Sequence, residues 1–433
     1  MTVEPVELLQ RLIRFDTTNP PGNEAACIGY VKEVLESAGC ETSVYARDPG
    51  RPNLIARLAG EGSAPPLLLY GHVDVVTTAG QEWRHGPFDG AIVDGEVWGR
   101  GALDMKSGVA MLITAFLRAR AENLRPAGDL ILAVLSDEEH GGDYGARFLA
   151  REHPELFEGV RFALGEVGGV TTHLAGSRFY PIQVAEKQVC WLKATVRGPG
   201  GHGALPMRGG AMARLGDLLR RLDRTRLPVH VHPVARTMLE TMAQAVPRPQ
   251  RLALRALLEP RLTDAALRSL GERGRELEPM LRNTVNATIV RGGMKINVIP
   301  SELEVELDGR LLPGQRPDDL IRELRAAVGQ DVELEVVRHD PGPPEPDLSL
   351  YDTLAGILRE LDPGATPVPL LMSGVTDGRF FATLGIQTYG FLPLRLPEGL
   401  RMAKLVHAAD ERVPVAALDF GVEAVYRAIQ RFG

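Results

Sequence analysis

The chain has 433 residues, 44% apolar and 24% charged, with a formal net charge of −7. That is a globular composition, and an acidic balance without a long basic run argues against nucleic acid and anionic membrane as partners. No apolar stretch approaches the roughly 20 residues of a membrane span, and the opening Met1-Thr2-Val3-Glu4-Pro5 lacks the basic region and apolar run of a signal peptide. The cysteines, Cys27, Cys40 and Cys190, have no metal-ligand spacing, and so sparse and odd a count fits a reducing cytoplasm. The length exceeds one core, so two domains are expected.

In chain order, Val6, Leu9 and Ile13 mark an amphipathic helix, and Ile28, Val31 and Leu35 mark a second that stops at Gly39. Asn53-Leu54-Ile55-Ala56 and Leu67-Leu68-Leu69-Tyr70 read as strands. A helix bearing Met111, Leu112, Ala115 and Phe116 follows Asp104, and strands resume over 130–135 and 162–164. This βα alternation predicts an α/β fold, a mostly parallel sheet with helices on both faces. The pattern changes near residue 188. A strand over 189–196, a helix carrying Leu215, Leu218 and Leu222, and short strands over 283–290, 295–298 and 302–307 come next. A helix over 317–328 and a strand over 332–337 complete a smaller α+β domain with an antiparallel sheet. The stretch 226–282 is too long for an ordinary loop and mostly helical, and reads as an insertion into that domain. Pro341-Gly342-Pro343-Pro344-Glu345-Pro346 is a stiff linker, after which α/β patterning resumes to a last helix with Leu418, Val422, Val425 and Ile429. The expected division is a catalytic domain over 1–187 and 341–433, interrupted by a lid domain over 188–340. Two crossings between them invite hinge motion.

Two segments concentrate the chemistry, Gly71-His72-Val73-Asp74 and Ser136-Asp137-Glu138-Glu139-His140-Gly141-Gly142. Each follows a run that reads as a buried parallel strand, and ligands of open α/β sheets gather at the carboxyl ends of strands. One rim therefore receives a His, an Asp and two adjacent Glu, a set suited to a metal-activated water beside a general base. His72 and Asp74 alternate on extended backbone, so Asp74 can support the imidazole from behind. Asp104, in a Gly-rich approach to a helix, reads either as an N-cap or as a carboxylate shared by two metal ions. Glu138 and Glu139 repel each other unless cations or protons offset them, and otherwise form a solvated acidic turn. Glu166 is another acid at a strand end. His407 stands far off, shortly before the last helix, and His202 lies on the glycine-rich loop 197–204.

Taken together these segments, with Asp16-Thr17-Thr18-Asn19-Pro20-Pro21-Gly22-Asn23-Glu24, Asn297-Val298-Ile299-Pro300-Ser301-Glu302 and Ser373-Gly374-Val375-Thr376-Asp377-Gly378-Arg379-Phe380, resemble the co-catalytic zinc hydrolases. That family includes aminoacylase, acetylornithine deacetylase, succinyl-diaminopimelate desuccinylase and carboxypeptidase S. The similarity runs nearly end to end. The helical insertion and Tyr389-Gly390-Phe391-Leu392-Pro393 look most like the carboxypeptidase S branch, which includes enzymes cleaving N-acyl amino acids.

The resemblance implies roles. His72 and Glu166 would hold one zinc and Glu139 and His407 the other, with Asp104 bridging; cobalt or manganese could substitute. Glu138 would be the general base and Asp74 would orient His72. His202 would stabilise the oxyanion, in dimeric members from the neighbouring subunit. Asn297, Arg310, Gly374, Thr376 and Arg379 would hold the substrate carboxylate, and the Asp104-Met105 bond would be cis. A homodimer through the lid domain is expected. The leading function is hydrolysis of N-acyl amino acids or short peptides. A dipeptidase or carboxypeptidase proper stays open within that reading, and a biosynthetic deacetylase or desuccinylase fits the insertion less well. A non-catalytic relative should have lost the base or a ligand position, all of which are present. A serine hydrolase would need a Gly-x-Ser-x-Gly elbow, which the chain lacks.

Overall fold

A computed structural model of the chain describes residues 3–329 and 332–433; Met1 and Thr2 of the opening pentapeptide lie outside them. The chain divides into two compact units, one of Met1–Val184, Pro346–Leu370 and Thr376–Gly433, the other of Ala185–Glu345 and Leu371–Val375.

The larger unit is built on a sheet whose strands lie in the order Glu41–Tyr45, Asn53–Leu58, Leu130–Leu135, Leu67–His72, Phe162–Gly165, Gln387–Gly390, Ser177–Glu186 and Ala365–Met372, with Thr172–Leu174 paired to Ser177–Glu186. The central four strands are parallel. Antiparallel pairs flank them, Asn53–Leu58 against Leu130–Leu135 on one side and Gln387–Gly390 against Ser177–Glu186 on the other. Leu67–His72 and Leu130–Leu135 are buried at every residue, as strands covered by helices on both faces must be. Their apolar runs carry no alternation for that reason. The helices Pro5–Ile13, Lys106–Ala121 and Val415–Arg431 pack on one another, and Lys106–Ala121 is buried along most of its length. Leu68, Tyr70, Ile131 and Ala133 meet Phe148, Leu149, Phe157 and Phe381 in a core cluster.

In the register of the sheet His72 sits opposite Leu135, and Leu69 opposite both Leu132 and Leu164. The residues that follow these three strands therefore leave the sheet at the same edge. That register, set by the hydrophobic runs, brings His72, Asp74, Glu138, Glu139 and Glu166 to one rim.

The smaller unit holds a four-stranded antiparallel sheet in the order Thr284–Arg291, Glu302–Leu311, Gln188–Arg197 and Glu333–Asp340. Leu303, Val305, Leu307 and Leu311 point into a core shared with Leu215 and Leu218 of the helix Ala211–Arg224 and Leu320 and Leu324 of Pro317–Val328. Glu302, Glu304 and Glu306 take the other face, the period-two pattern of a half-covered strand. The stretch 226–282 folds into four α-helices, Pro233–Ala245, Arg248–Ala256, Thr263–Ser269 and Glu272–Leu277, and a 3-10 turn, Glu278–Met280. The strand expected over 295–298 shrinks to Val298–Ile299, paired with Gly201–His202. Gly292 and Gly293, both at positive φ, turn the chain away from the sheet, and Met294 and Ile296 beyond them face solvent rather than a core.

Candidate metal centre

His72, at the end of its strand, is buried, and its Nε2 lies 3.4 Å from Asp104 Oδ1 and 3.5 Å from Glu166 Oε2. His407 Nε2 lies 3.2 Å from Asp104 Oδ2 and 3.3 Å from Glu139 Oε2. The two oxygens of Asp104 thus face two different imidazoles. In each triad, His72 with Asp104 and Glu166 and His407 with Asp104 and Glu139, the imidazole nitrogen lies 3.2–3.5 Å from two carboxylate oxygens. A tetrahedral zinc site with arms of about 2.0–2.1 Å has edges of about 3.3–3.4 Å. Ligand atoms of His72, Asp104 and Glu139 lie within 4.8 Å of one another, as do those of His72, Glu138 and Glu166.

The turn that carries Glu138 and Glu139 hangs from Asp74. Its Oδ1 accepts the backbone N–H of Glu138 at 3.1 Å and its Oδ2 that of Glu139 at 3.0 Å. The nearest partner of His72 Nδ1 is the backbone carbonyl of Asp74 at 3.0 Å, with Asp74 Oδ1 at 3.4 Å. One residue therefore faces the back of the imidazole and also fixes the loop carrying both glutamates. Asp137, just before Glu138, has φ +69°, in the left-handed region that Asp tolerates better than most residues. Gly142, φ +74°, closes the turn where a Cβ would lie 2.5 Å from the Phe380 ring. The Asp104-Met105 peptide is cis.

The electrostatics follow from crowding acids out of water. Burial, and then the Glu166 charge, push the Glu138 carboxyl well above the usual carboxylate range. Burial lifts Glu139 to about 7, the Asp104 charge adding to it and His407 opposing, and burial also raises Glu166. Asp104 goes the other way, because the His407 and His72 imidazoles facing its two oxygens outweigh its burial. Hydrogen bonds to Asp104 and Glu139 push His407 up to about 10. Four carboxylates gathered against two imidazoles make an anionic pocket that needs a cation or several protons.

Divalent cations fit this set. His72 Nε2, Glu139 Oε1 and Glu166 Oε1 are buried and make no hydrogen bond, although buried polar atoms are otherwise almost always satisfied. Imidazole and carboxylate are the ligands zinc, cobalt and manganese accept.

The remaining residues singled out from the sequence fall in two places. His202 is exposed in the smaller unit, on the two-residue ribbon paired with Val298–Ile299, and its Nδ1 accepts the Ala204 N–H at 3.1 Å. Asn297 lies beside it, its carbonyl accepting the Gly203 N–H at 2.8 Å. Arg310, on Glu302–Leu311, forks onto Asp308 with Nε–Oδ1 of 2.8 Å and Nη2–Oδ2 of 3.1 Å. Gly374 belongs to the smaller unit, whereas Thr376 and Arg379 belong to the larger. Thr376 is buried and its hydroxyl accepts the Gly378 N–H at 3.0 Å. The Arg379 guanidinium lies 3.9 Å from Glu138 Oε1.

Sequence reasoning missed several residues around the rim. Asp377 is buried with neither carboxylate oxygen hydrogen-bonded, and burial pushes it up to about 8. Glu411 and Arg100 form a buried pair at 2.7 Å beneath Asp104. Asn19 contacts Asp74 and Asp137. Asn19, Asp137 and Asp377 stood inside segments that carried the resemblance, yet each reads by itself as a turn residue, and no spacing rule links them.

Known proteins resemble the chain along most of its length. The chain is 28% identical to the N-fatty-acyl-amino acid synthase/hydrolase PM20D1 of Homo sapiens over 384 residues, covering 86% of this chain and 75% of that one. It is 29% identical to a succinyl-diaminopimelate desuccinylase of Paracoccus denitrificans over 425 residues, covering 95% and 94%. Among solved structures, the metallo-carboxypeptidase Sso-CP2 from Sulfolobus solfataricus superposes with a TM-score of 0.71 at 15% identity, covering 99% of both chains, a likeness of fold. The profile of Peptidase family M20/M25/M40 matches residues 68–431, from the His72 strand to the last helix, and the chain belongs to that family.

Proposed function

We propose that the chain is a metal-dependent hydrolase of the amide bond in N-acyl amino acids or short peptides, with Glu138 as general base. The observation that carries this reading is the Asp104 carboxylate, with one oxygen toward His72 and the other toward His407. A carboxylate shared between two imidazoles, each with its own glutamate, is a holder for two cations. His72 and Glu166 would hold one, His407 and Glu139 the other, and zinc is the ion proposed.

When bound, such a pair supplies Lewis acidity, making a water acidic near neutral pH and polarising the amide carbonyl. The chain's residues do the rest. Glu138 stands next to the ligands without being needed as one, and its raised proton affinity suits it to take a proton from water and pass it to the leaving amine. Asp74 holds both glutamate N–H groups, so the base cannot drift relative to His72. Arg379, 3.9 Å from Glu138, places a fixed positive charge beside a carboxylate that changes charge during turnover. His202 is proposed as the oxyanion donor and Asn297, Arg310 and the 374–379 loop as the contacts for the substrate carboxylate, where an arginine fork binds well. These last roles rest on the resemblance.

A homodimer through the smaller unit belongs to the proposal. Its edge strand Thr284–Arg291 exposes Ile289 and Val290, and the neighbouring helix exposes Met212. A cytoplasmic location is proposed from the three free, buried cysteines. Among the described residues no helix is long and apolar enough to cross a membrane.

The test is release of free amino acid from a panel of N-acyl amino acids, from acetyl to long-chain, and dipeptides, using zinc-loaded protein beside a chelated control. Metal-dependent release supports the reading, and the preferred substrate separates acylase from peptidase. Release that is indifferent to chelation would overturn it.

A further inference from the structure

A file of buried polar side chains runs from the N-terminal segment to the turn that carries the base. Asn19 is 3% exposed. Its Nδ2 donates to Asp74 Oδ2 at 2.8 Å and to Asp137 Oδ1 at 3.0 Å. One amide group spans two carboxylates; turned over, its oxygen would face both, so the orientation follows from the chemistry. Asp137 Oδ1 also faces Arg51 Nη1 at 3.0 Å, and its Oδ2 accepts the Tyr144 N–H at 3.0 Å. Arg51 is locked in turn by a fork on Glu24, with Nη2–Oε1 of 2.7 Å and Nε–Oε2 of 3.1 Å, and lies over the Tyr144 ring.

Asp74 and Asp137 hold opposite ends of one turn. Asp74 takes the N–H groups of Glu138 and Glu139, and Asp137 takes that of Tyr144. Asp74 follows the His72 strand and Asp137 the neighbouring strand, so the gap between them sets where the glutamates stand relative to His72. Two buried like charges would push that gap open unless a donor sits between them. Asn19 is that donor.

We propose that Asn19 is a positioning residue, bridging Asp74 and Asp137 so that Glu138 and Glu139 are fixed against His72, with the Arg51–Glu24 pair clamping Asp137 from behind. The inference rests on the proposed function for what the site does, and on the hydrogen bonds alone for how it is held.

The experiment compares wild type with Asn19→Ala and Asn19→Asp. Zinc affinity is measured without substrate, by competition with a chromophoric chelator; kcat and KM follow on the zinc-loaded proteins, and melting on the metal-free ones. Loss of a partner behind the metal ligands costs about 10–100-fold in metal affinity or activity. Asn19→Ala is expected to lower zinc affinity and kcat by about that factor with KM little changed. Asn19→Asp, equal in size but negative, is expected to be worse than Asn19→Ala. Folded variants with wild-type zinc affinity and kcat, altered only in melting temperature, would overturn the proposal. If neither variant folds, Arg51→Lys, which keeps the charge but loses the fork, must lower zinc affinity and kcat in the same direction, and wild-type values for it also overturn the proposal. Wild-type protein that binds zinc yet releases no amino acid would count against the proposed function, leaving the zinc comparison to decide the role of Asn19.

Discussion

Glu411 holds Asp104 by its backbone: Oε1 accepts the Asp104 N–H at 3.0 Å and the Leu103 N–H at 2.7 Å. Its other oxygen takes Arg100 Nη1 at 2.7 Å and the Gly101 N–H at 3.2 Å. A carboxylate four residues beyond His407 is thereby tied to the loop that delivers Asp104, which joins two segments distant in sequence. Gln81 adds a second tie, donating to the His407 carbonyl at 2.8 Å and accepting from Arg100 at 2.8 Å.

Glu411→Ala should therefore cost more than a surface change. It leaves the Arg100 guanidinium, 1% exposed, without its ion partner, and breaking a buried pair costs about 3–5 kcal/mol. Glu411→Gln keeps an acceptor of the same shape and should cost less. Urea melts of the metal-free proteins measure both. Equal destabilisation of the two variants would show that the carboxylate charge, and not the shape of the side chain, holds the loop.

Glu138→Gln isolates the proposed base. The amide keeps the size of the side chain and cannot take a proton, and general-base catalysis is worth about 10²–10⁴-fold. A fall of that order in kcat is expected, with two metals per chain retained because Glu138 is not one of the proposed ligands. Loss of metal along with activity would move Glu138 from base to ligand, which its place within 4.8 Å of His72 and Glu166 makes a real alternative outcome.

The strands of the larger unit were legible because parallel strands covered on both faces are written as unbroken apolar runs, as over Leu67–His72 and Leu130–Leu135. The rim was legible because chemistry at strand ends follows those runs directly. The second job of Asp74 was not. A carboxylate two residues from a histidine suggests support for the imidazole, whereas its hydrogen bonds to Glu138 and Glu139 depend on the register of two strands. Glu411 and Arg100 were invisible for a similar reason, since an ion pair across 311 residues of sequence leaves no local pattern. The polar edge of the smaller unit misled as well. The apolar letters of 295–298 suggested a strand, while the glycines before them turn Met294 and Ile296 into solvent.

Metal binding should release protons, with a predictable sign. Burial lifts Glu139 to about 7, and hydrogen bonds to Asp104 and Glu139 lift His407 to about 10, so near pH 7 this corner of the site holds at least one proton. A cation binds only the deprotonated groups. Zinc affinity should therefore weaken as pH falls from 8 to 6, and binding at pH 7 should release about one proton or more. Calorimetry in two buffers of different ionisation enthalpy counts them. Zinc binding at pH 7 with no proton released would mean that the ligands are already bare and that the carboxylates and imidazoles do not share protons.

Lys187 of the smaller unit offers a test by stability. It is 1% exposed, and its Nζ donates to the Arg282 carbonyl at 3.0 Å and to Thr284 Oγ1 at 2.9 Å. Burial, and then the nearby Arg310 charge, push its ammonium down to about 7, whereas an unfolded lysine titrates near 10.4. Between those values the unfolded chain binds a proton that the folded chain does not, so this residue makes stability rise with pH across the window. Below about 7 the cost of burying the charge is present in full. Lys187→Met removes the titrating group. Wild type should gain stability relative to the variant between pH 7 and 9, by up to about 1.4 kcal/mol per pH unit, or about 2–4 °C in melting temperature per kcal/mol. Differential melts at the two pH values give the comparison, and referring each protein to the variant cancels every other group that titrates in the range. A parallel response in both would mean that Lys187 keeps its proton when buried, so that the Arg282 carbonyl and Thr284 hydroxyl stabilise the charge more than burial and Arg310 oppose it.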